Sequence, residues 1–600
     1  MYDFDFDPET NGIELSWRDT GGEISRREAR PVYAEELNIL GMDKRWRYDA
    51  ACPAPLMWAI NSVYYYRGRK VMKTTGGTCA TPPEITVFEE PEIDGRPLMP
   101  CDISLMCAKS RELLDRLTAQ SVKFIQDVWI EYADKCDLFY VSFSGGKDSI
   151  VMLDLVSRAL PHNDFRVVFG DTGMEFPDTY QCVKEIKERC AAAGVEFLTA
   201  KAPFSPSDSW REFGPPADVL RWCCSVHKTA PQIQLLRDVT GKADFTGLAF
   251  TGVRHAESAR RSQYEPVAKG VKHRGQYSAH PIIDWSSAEV WLYIYTHSLP
   301  VNAGYRKGNR RAGCLVCPKA GGINEVFRVA SYPEETGKYY QMIREAYEPK
   351  HTEPRDLGAY LEGNWKGRRS GAELTIETGY HDYKQGAEWH ITVSTPHTDW
   401  REWIKTIGVL QTASSPYTLL FRGKKREFTL EETKQGFKAS TAETDRTFIK
   451  LLKECFRRSA CCVACHECAA DCPYGCITFT GRAVHISDKC RHCAECHKSL
   501  DGCLRYHSIA AGRVMETKCC RCDKPVSVNV IGLNKRLLGR HISCLCALTA
   551  SRRFSIQRLM ICRLKSMRSV TTGVRCLSEV LCTITFLMPR QTACSCRLRR

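Results

Sequence analysis

The sequence lacks any uninterrupted apolar run near the roughly 18 residues that a membrane-spanning helix needs, which argues against a membrane span. The opening stretch Met1-Tyr2-Asp3-Phe4-Asp5-Phe6-Asp7 is acidic and has no long apolar segment, so we expect no secretory signal peptide. We therefore expect a cytoplasmic protein with no membrane partner. Hydrophobic residues at 43% and charged residues at 26% are typical of a folded globular chain.

Tryptophan, tyrosine and aspartate are absent from His541 onward, where ten Arg and one Lys face a single acidic residue, Glu579. Most of the net charge of +15 therefore lies in this tail. Because the remainder is only mildly basic, the charge does not indicate a broad nucleic-acid-binding surface. Hydrophobic periodicity also dissolves there, and we interpret residues 541–600 as an aberrant or disordered basic tail.

Cysteine, in contrast, is abundant, with 32 residues. In a cytoplasmic protein, many cysteines in CxxC spacings favour metal ligation over disulfides. A chain of 600 residues is also too long for one core, so we expect several domains. The predicted units are an N-terminal module (1–105), a nucleotide-binding domain (106–350), a small α+β module (372–447), a Cys-rich unit (448–511), a zinc-knuckle candidate with Cys519 and Cys522 (512–540), and the tail (541–600).

Strands and helices alternate from about residue 138 to about residue 347, which predicts an α/β domain with a doubly wound parallel sheet. The predicted strands are Leu138–Phe143, Arg166–Gly170, Val195–Ala200 and Phe245–Val253. The predicted helices lie near Ser149–Ala159, Asp178–Ala193, Thr229–Val239 and Ser287–His297.

A glycine-rich loop, Ser144-Gly145-Gly146-Lys147-Asp148-Ser149, joins the first of these strands to the first helix. Two glycines permit a sharp turn that points successive N–H groups inward. The helix N-terminus and Lys147 add positive charge, so the segment predicts a phosphate-binding loop. It is not a Walker A loop, because GxxxxGK[ST] is absent.

The pattern SGGKDS resembles the PP-loop of ATP pyrophosphatases and of the phosphoadenylyl-sulfate (PAPS) reductase family. Two further segments resemble that family, Asp171-Thr172-Gly173 at the end of the second strand and Thr251-Gly252-Val253-Arg254 after a later one. The resemblance implies an adenine nucleotide, ATP or PAPS, as ligand. The residues expected to bind it are Ser144, Gly145, Gly146, Lys147, Asp148, Ser149, Asp171, Gly173 and Arg254.

Among these residues, we expect Lys147, Asp148, Asp171 and Arg254 to act in catalysis. Asp148 or Asp171 is expected to orient Mg²⁺, and Arg254 to stabilise charge on the transferring group. Asp171 has a plainer alternative as a helix cap or turn former. Lys307, Arg310 and Arg311 are further candidates for contact with a nucleotide or polynucleotide phosphate, or for a basic loop near a negatively charged cluster.

A second constellation joins an adjacent pair of cysteines to a later CxxC. This CC…CxxC arrangement resembles the cluster-binding set of adenylyl-sulfate reductases, and it implies a [4Fe–4S] cluster beside the nucleotide. Zn²⁺ is the alternative, since tetrahedral Cys₄ sites with CxxC knuckles are common; buried cysteines without metal are another. The cysteines concerned are Cys223, Cys224, Cys314 and Cys317.

A third constellation begins at Cys462 with the bacterial ferredoxin run CxxCxxCxxxCP. A second CxxCxxC run begins at Cys490, and a longer gap than usual separates it from Cys503. In two-cluster ferredoxins the fourth cysteine of each run ligates the other cluster. The expected sets are Cys462, Cys465, Cys468 and Cys503 for one [4Fe–4S] cluster, and Cys490, Cys493, Cys496 and Cys472 for the other. A zinc ribbon is the alternative.

The sequence lacks the ECG[IL]H motif that carries the nucleophilic cysteine of sulfonucleotide reductases. We therefore expect an iron–sulfur enzyme with two or three [4Fe–4S] clusters that activates or transfers sulfur at the expense of ATP, as PP-loop relatives in RNA and DNA sulfuration do. Its sulfur donor and acceptor are unspecified, a nucleic acid is one candidate substrate, and an external electron donor is expected. The alternatives are a PAPS or adenylyl-sulfate reductase fed by its fused ferredoxin, and a non-catalytic nucleotide- and redox-sensing module.

Overall fold

The computed structural model describes residues 2–17, 27–91, 96–270, 274–347 and 354–511. The described residues all belong to one compact unit. The zinc-knuckle candidate over 512–540 and the tail over 541–600 lie outside the described residues. None of the helices in the described ranges is both long and apolar enough to cross a lipid bilayer.

The N-terminal module contains a β-hairpin and a five-stranded antiparallel sheet in the order β3-β4-β5-β6-β7. Aromatic and apolar side chains such as Trp58 and Tyr64 are fully buried in its core, which explains the apolar centre of this segment. The elements are β1 (Tyr2–Asp7), β2 (Gly12–Trp17), β3 (Ala29–Val32), α1 (Ala34–Ile39), β4 (Met57–Ile60), β5 (Val63–Tyr66), β6 (Arg69–Thr75) and β7 (Glu84–Val87).

A long helix, α2 (Ile103–Tyr132), leads into the predicted α/β domain, whose sheet confirms the doubly wound prediction for the core. The sheet order is β10-β9-β8-β11-β13-β12; the first five strands are parallel and β12 is antiparallel. The strands are β8 (Leu138–Phe143), β9 (Arg166–Asp171), β10 (Glu196–Lys201), β11 (Gly247–Phe250), β12 (Val267–Lys269) and β13 (Gln276–Ala279).

Five of the described α-helices lie between β8 and β11 along the chain, and the next four follow β13. They are α3 (Lys147–Ala159), α4 (Pro177–Ala192), α5 (Pro206–Phe213), α6 (Trp222–Cys224), α7 (Ala230–Thr240), α8 (Ser287–Thr296), α9 (Ile323–Ser331), α10 (Pro333–Ala346) and α11 (Pro354–Glu362). Strand β11 is shorter than predicted, because the chain leaves the sheet after Phe250 and turns toward the loop that follows β8.

The strand order reverses direction between β8 and β11, and this position determines where a ligand can bind. Successive connections run one way from β8 to β9 and β10, and the other way from β11 to β13. In open α/β sheets such a switch point leaves a crevice at the carboxyl ends of the strands. The glycine-rich loop follows β8, so it lies at this crevice.

The C-terminal part of the described chain is built around a six-stranded sheet in the order β14-β15-β19-β18-β17-β16. Its elements are β14 (Tyr380–Gln385), β15 (Glu388–Val393), α12 (Trp400–Ile404), β16 (Val409–Leu410), β17 (Tyr417–Phe421), β18 (Lys424–Glu432), β19 (Phe437–Thr441) and α13 (Arg446–Cys461). The Cys-rich unit follows with α14 (Glu467–Asp471), β20 (Ile477–Thr480), β21 (Ala483–Ile486) and α15 (Leu504–Ile509).

Helix α13 connects the sheet to the Cys-rich unit. Its N-terminus is capped by Asp445, whose carboxylate accepts hydrogen bonds from the amides of Thr447 and Phe448. Residues of α13, the sheet and the Cys-rich unit share one apolar core. The boundary predicted between 447 and 448 therefore falls in the first turn of a helix that both units share.

Candidate functional site

The loop between β8 and α3 is held in a defined shape by its own side chains and by a neighbour. Gly145 has a positive φ of 69°, and a Cβ there would lie 2.8 Å from Thr179 Cγ2. Ser149 Oγ accepts a hydrogen bond from the Ser144 amide at 3.2 Å and donates to the Gly146 carbonyl at 2.8 Å. The Asn302 side-chain amide donates to the Gly145 carbonyl at 3.0 Å. The chain's own hydrogen bonds therefore define the shape of the loop.

Two charged side chains of this loop meet a third, Arg254, from a distant segment of the chain. Lys147 Nζ lies 2.7 Å from Asp148 Oδ2, and Arg254 Nε donates to Asp148 Oδ1 at 2.7 Å. Arg254, which follows β11, is only 1% exposed. The structure thus brings Arg254 to Lys147 and Asp148, with which the sequence placed it in one site although more than one hundred residues separate it from them.

The burial of these groups sets their protonation. Burial lowers the pKa of Lys147 to about 8, although Asp148 acts in the opposite direction. Burial would raise the pKa of Asp148, but the charges of Lys147 and Arg254 outweigh it and hold that pKa well below its usual range. Asp148 is therefore a carboxylate at neutral pH, with both oxygens facing cations. Asp148 is poorly suited to hold Mg²⁺ as well.

The N-terminal module supplies a partner that the sequence did not reveal, Glu28. Its two carboxylate oxygens accept hydrogen bonds from Arg254 Nη1 and Nη2, each at 2.8 Å. All three nitrogens of this guanidinium are thus engaged by Asp148 and Glu28. With these hydrogen bonds made, Arg254 orients Asp148 rather than donating hydrogen bonds to a ligand. Its predicted contact with a transferring group stays a prediction. Nothing in the sequence around Glu28 predicts that this residue pairs with Arg254.

Replacing Glu28 with Gln is expected to lower the free energy of unfolding by about 3 kcal/mol, because it leaves a buried guanidinium partly uncompensated. Burial raises the pKa of Glu28, but Arg254 outweighs it and holds the pKa below its usual 4.5. The contribution is therefore present above about pH 4.5 and lost as the pH falls through the lowered pKa. Urea unfolding of both proteins at neutral and acid pH measures this.

The matched control for that experiment is Glu185→Gln, which breaks an exposed pair with Arg189 on α4. Exposed pairs of this kind contribute about 0–1 kcal/mol. A Glu28 variant no less stable than the Glu185 variant would contradict the account of the buried pair.

Close packing behind the loop also depends on Gly252. A Cβ at this position would lie 2.6 Å from the backbone carbonyl oxygen of Asp148, a contact that no side-chain movement relieves. Gly252→Ala is expected to destabilise the protein by about 1–3 kcal/mol, as overpacking does, and to weaken nucleotide binding. In the control, Gly313→Ala, the new Cβ would meet nothing within 4 Å. Chemical denaturation that finds the two variants equally stable would refute the close approach.

Asp171 and Gly173 lie at the carboxyl end of β9, next to β8. The Asp171 carboxylate accepts hydrogen bonds from the Gly173 amide and the Tyr180 hydroxyl, both at 2.8 Å. This arrangement is the turn-forming role that the sequence left open as the plainer alternative. A role in ligand binding stays a prediction for both residues.

The four cysteines of the second constellation lie beside the segment that follows β9. Cys314 forms a β-bridge with Glu175, and the amide of Leu315 donates to the Met174 carbonyl at 2.7 Å. The pKa of Cys223 is raised well above its ordinary value by its hydrogen bond to Cys224 and by burial. The neighbouring thiols of Cys314 and Cys317 add to this rise. The structure therefore brings all four thiols into one neighbourhood next to the nucleotide crevice.

Two cations accompany these thiols. Arg221 Nη2 donates to Cys224 Sγ at 3.3 Å. Lys228 Nζ lies 3.4 Å from Glu175 Oε1. Electrostatic interaction with the nearby Cys314 is the main reason why the pKa of Lys228 is raised. Within the described ranges, no three Cys, His, Asp or Glu side chains converge as the ligands of a single metal ion would. Four thiols with two adjacent cations would be compatible with an anionic, thiolate-ligated iron–sulfur cluster.

Cysteines of the Cys-rich unit lie near one another in two groups, and their assignment to two ligand sets stays a prediction. Cys462, Cys465, Cys468 and Cys503 line one cavity, although Cys503 is distant from the run in sequence. In the other set, burial raises the pKa of Cys490 to about 11, and Cys496 and Cys472 are among the thiols around it. Cys493 and Cys472 both lie near Cys496.

The two CxxCxxC runs also share an unusual backbone conformation. Ala464 and His466 flank the second cysteine of the first run, and both have positive φ, at 55° and 62°. His492 and Ala494 flank the second cysteine of the other run, with φ of 53° and 57°. Non-glycine residues rarely adopt this left-handed conformation. Its recurrence at equivalent positions shows that the runs form two copies of one loop.

A buried arginine lies between the two sets of thiols. Arg458 is 2% exposed, and its Nε donates to the Gly502 carbonyl at 2.7 Å. Burial lowers its pKa, but Cys496, Cys468 and Cys503 outweigh this and raise it. In the described part of the chain Arg458 forms no ion pair with a carboxylate, and its Nη1 has no hydrogen-bond partner. A buried guanidinium in this position requires nearby negative charge, which thiolate-ligated clusters would supply.

The Cys-rich unit is fixed to the α/β domain by buried polar contacts. Arg237 of α7 donates to the carbonyls of Ala469, Ala470 and Cys472 at 2.7–3.1 Å. Cys465, Cys223 and Cys314 pack against the same apolar cluster. The cavity lined by the first set therefore lies next to the thiols of the α/β domain. Sequence reasoning missed Arg237 and Arg458, because neither stands in a recognisable motif.

Comparisons with known proteins agree with this core. Residues 139–320 match the family described as "Phosphoadenosine phosphosulfate reductase domain". An adenosine 5'-phosphosulfate reductase of Geobacillus thermodenitrificans is 30% identical over 209 residues, which cover 34% of this chain and 81% of that protein. An uncharacterized protein of Methanocaldococcus jannaschii is 31% identical over 252 residues, or 41% of this chain. The chain spans about half the length of this relative, 49% of it. It spans 55% of a second relative from the same organism.

Among solved structures, the phosphate complex of phosphoadenylyl-sulfate reductase from Candida auris is 22% identical, with a TM-score of 0.26. The matched region covers 34% of this chain and 95% of the Candida auris chain. The parallel sheet with its glycine-rich loop at the switch point defines an α/β protein of the PP-loop class. The sequence matches are more specific: the chain belongs to the phosphoadenosine phosphosulfate reductase family.

Proposed function

We propose that this protein is an iron–sulfur enzyme that binds an adenine nucleotide in the PP-loop and uses it to activate or transfer sulfur. The observation that carries the proposal is the direct pairing of Cys314 with the segment after β9, at the same sheet edge as the PP-loop. This pairing favours a thiol-bound redox centre next to the nucleotide. The family relationship supports chemistry on a sulfonucleotide or a related adenylate.

The chain's own residues have separable tasks in this proposal. The amides of the loop and the Lys147 ammonium bind the phosphate oxygens. Asp148 holds Lys147 in place, and Arg254 with Glu28 holds Asp148. Cys223, Cys224, Cys314 and Cys317 would hold one [4Fe–4S] cluster, and the two sets of the Cys-rich unit would hold two more. Such clusters supply one-electron transfer when bound.

The proposed reaction balances as two displacements. An acceptor oxygen attacks the α-phosphorus of ATP, forming a P–O bond while the α–β bond breaks and pyrophosphate leaves. A sulfide or persulfide donor then forms a bond to the activated carbon, and AMP leaves with the former acceptor oxygen. No net oxidation occurs if the donor is sulfide; a persulfide donor needs two electrons and returns its second sulfur as sulfide or thiol.

A specific finding favours a second candidate, reduction of a sulfonucleotide. The G. thermodenitrificans relative, 81% of which this chain covers, is described as an adenosine 5'-phosphosulfate reductase. That reaction would take two electrons from an external donor and two protons, break the bond between sulfur and the bridging phosphate oxygen, and release sulfite and AMP. The absent ECG[IL]H motif speaks against the usual thiol nucleophile for this route.

Product analysis separates the two candidates. Anaerobically prepared full-length protein is incubated with ATP, adenylyl sulfate or PAPS, each with and without a reductant, and pyrophosphate and sulfite are measured. Lys147-dependent pyrophosphate release, stimulated by an acceptor such as a mixture of RNAs, supports sulfuration. Sulfite release supports the reductase. Nucleotide binding without either product under every condition would contradict both and favour a sensor.

A further inference from the structure

A cavity of about 260 Å³ lies between the N-terminal module and the PP-loop, and we call it the interdomain cavity. The module contributes Arg30 and Asn61 to its lining, and the α/β domain contributes Lys147, Trp291 and Arg310. This volume is large enough for a tetrahedral anion and several water molecules. Because Lys147 lines it, the interdomain cavity is continuous with the phosphate-binding loop.

Four buried polar atoms without hydrogen-bond partners belong to residues that line the interdomain cavity. Within the described ranges they are the N–H donors Arg30 Nε, Trp291 Nε1 and Arg310 Nε, and one acceptor, Asn309 Oδ1. Trp291 is 1% exposed and Arg30 is 8% exposed. Buried donors are nearly always paired in native proteins, with ligand or ordered water where the chain offers nothing. Three donors around one cavity therefore favour an acceptor-rich occupant.

The charge around the interdomain cavity has the sign that such an occupant requires. Arg30 is paired with Glu36, Arg254 with Glu28, and Arg311 with Glu257. Arg310 differs: it donates to the Ser62 hydroxyl at 3.1 Å, and no carboxylate of the described chain forms an ion pair with it. Burial and the neighbouring Arg30 both lower its pKa, so a bound anion would stabilise the charged guanidinium.

We infer that the interdomain cavity is a second oxyanion subsite, which takes the terminal phosphate or sulfate group of the nucleotide held by the PP-loop. Arg310 supplies the uncompensated charge, and Trp291 and Arg30 supply further N–H donors. Phosphate and sulfate share the tetrahedral array of oxygen acceptors that these donors suit. The inference rests on the proposed function, and it gives the N-terminal module a role in completing the nucleotide site.

Calorimetric titration of the anaerobic full-length protein with ATP, adenylyl sulfate and AMP tests the inference. Arg310→Gln is expected to weaken binding of ATP, adenylyl sulfate or both by about 10- to 100-fold, the effect of losing a hydrogen bond to a charged group. AMP, which lacks a terminal group beyond the α-phosphate, is expected to bind as it does to wild type. Arg310→Lys keeps the charge and is expected to recover part of the affinity.

The matched control is Arg166→Gln, which removes an arginine on β9 that lies outside the cavity lining and whose charge Glu196 already balances. We expect its effect on ATP or adenylyl sulfate to stay below about threefold. If Arg310→Gln loses affinity only for ATP, the subsite takes a phosphate group. If it loses affinity only for adenylyl sulfate, the subsite takes a sulfate group. Equal losses in both arginine variants, or an equal loss for AMP, would overturn the subsite.

Failure of the subsite is distinguishable from failure of the proposed function. Unchanged binding in Arg310→Gln, with binding abolished in Lys147→Ala, would overturn the subsite and leave the PP-loop assignment standing. Wild-type protein that binds none of the three nucleotides would overturn both.

Discussion

Lys147→Ala is expected to reduce nucleotide turnover by at least about 100-fold, the largest effect of any single substitution in the loop. The substitution removes the only lysine ammonium of the loop and leaves Asp148 with one cation partner instead of two. Removing one preorganised electrostatic group from an active site typically costs about 10²- to 10³-fold in rate. Steady-state kinetics with the preferred nucleotide measure the effect, and calorimetry shows whether affinity falls with it.

The control for that substitution is Lys184→Ala on α4, an exposed lysine on the first helix after β9. We expect wild-type turnover from this variant. Thermal unfolding of both variants separates lost chemistry from lost folding, since Lys147 is only 6% exposed. A Lys147 variant that folds normally and retains wild-type turnover would remove the loop from the mechanism.

Cys503→Ser is expected to lower the iron content by about four atoms per chain, the content of one cubane cluster. The reason is geometric: Cys503 lines one cavity with Cys462, Cys465 and Cys468, and a fourth thiolate completes the set. Iron, acid-labile sulfide and zinc are measured on protein purified anaerobically. The content of acid-labile sulfide is expected to fall by the same number of atoms per chain as the iron content.

A stringent control is Cys461→Ser, because Cys461 lines the same cavity but its thiol donates to the Thr378 carbonyl. A serine hydroxyl can make the same hydrogen bond, so the iron content is expected to stay at the wild-type level. Zinc without iron in the wild-type protein, or equal iron in both serine variants, would contradict the cluster assignment.

Much of the α/β core could be predicted from the sequence, because each of its signals is local. The apolar run Leu138–Phe143 is the observed strand β8. The glycines after it permit the sharp turn after which α3 begins at Lys147. The grouping of Cys503 with the first run followed from the crossed pattern of ferredoxin motifs; these four cysteines line one cavity together with Cys461, and their role as a ligand set stays a prediction.

The polar network around the site could not be predicted, because it depends on contacts between distant segments. Glu28 meets Arg254 across 226 residues, and a single glutamate in a polar stretch has no periodicity or spacing that marks it. Arg237 and Arg458 likewise act on backbone carbonyls of distant segments. Such carbonyls are present at every residue, so sequence cannot indicate which of them will accept a bond.

The most direct test of the account is a crystal structure of the anaerobic protein with a non-hydrolysable ATP analogue or adenylyl sulfate bound. The account predicts phosphate oxygens hydrogen-bonded to the amides that follow Ser144, with the Lys147 ammonium in contact. It also predicts one iron–sulfur cluster ligated by Cys223, Cys224, Cys314 and Cys317 beside the nucleotide. A nucleotide bound elsewhere, or those four thiols free of metal in iron-replete protein, would contradict it.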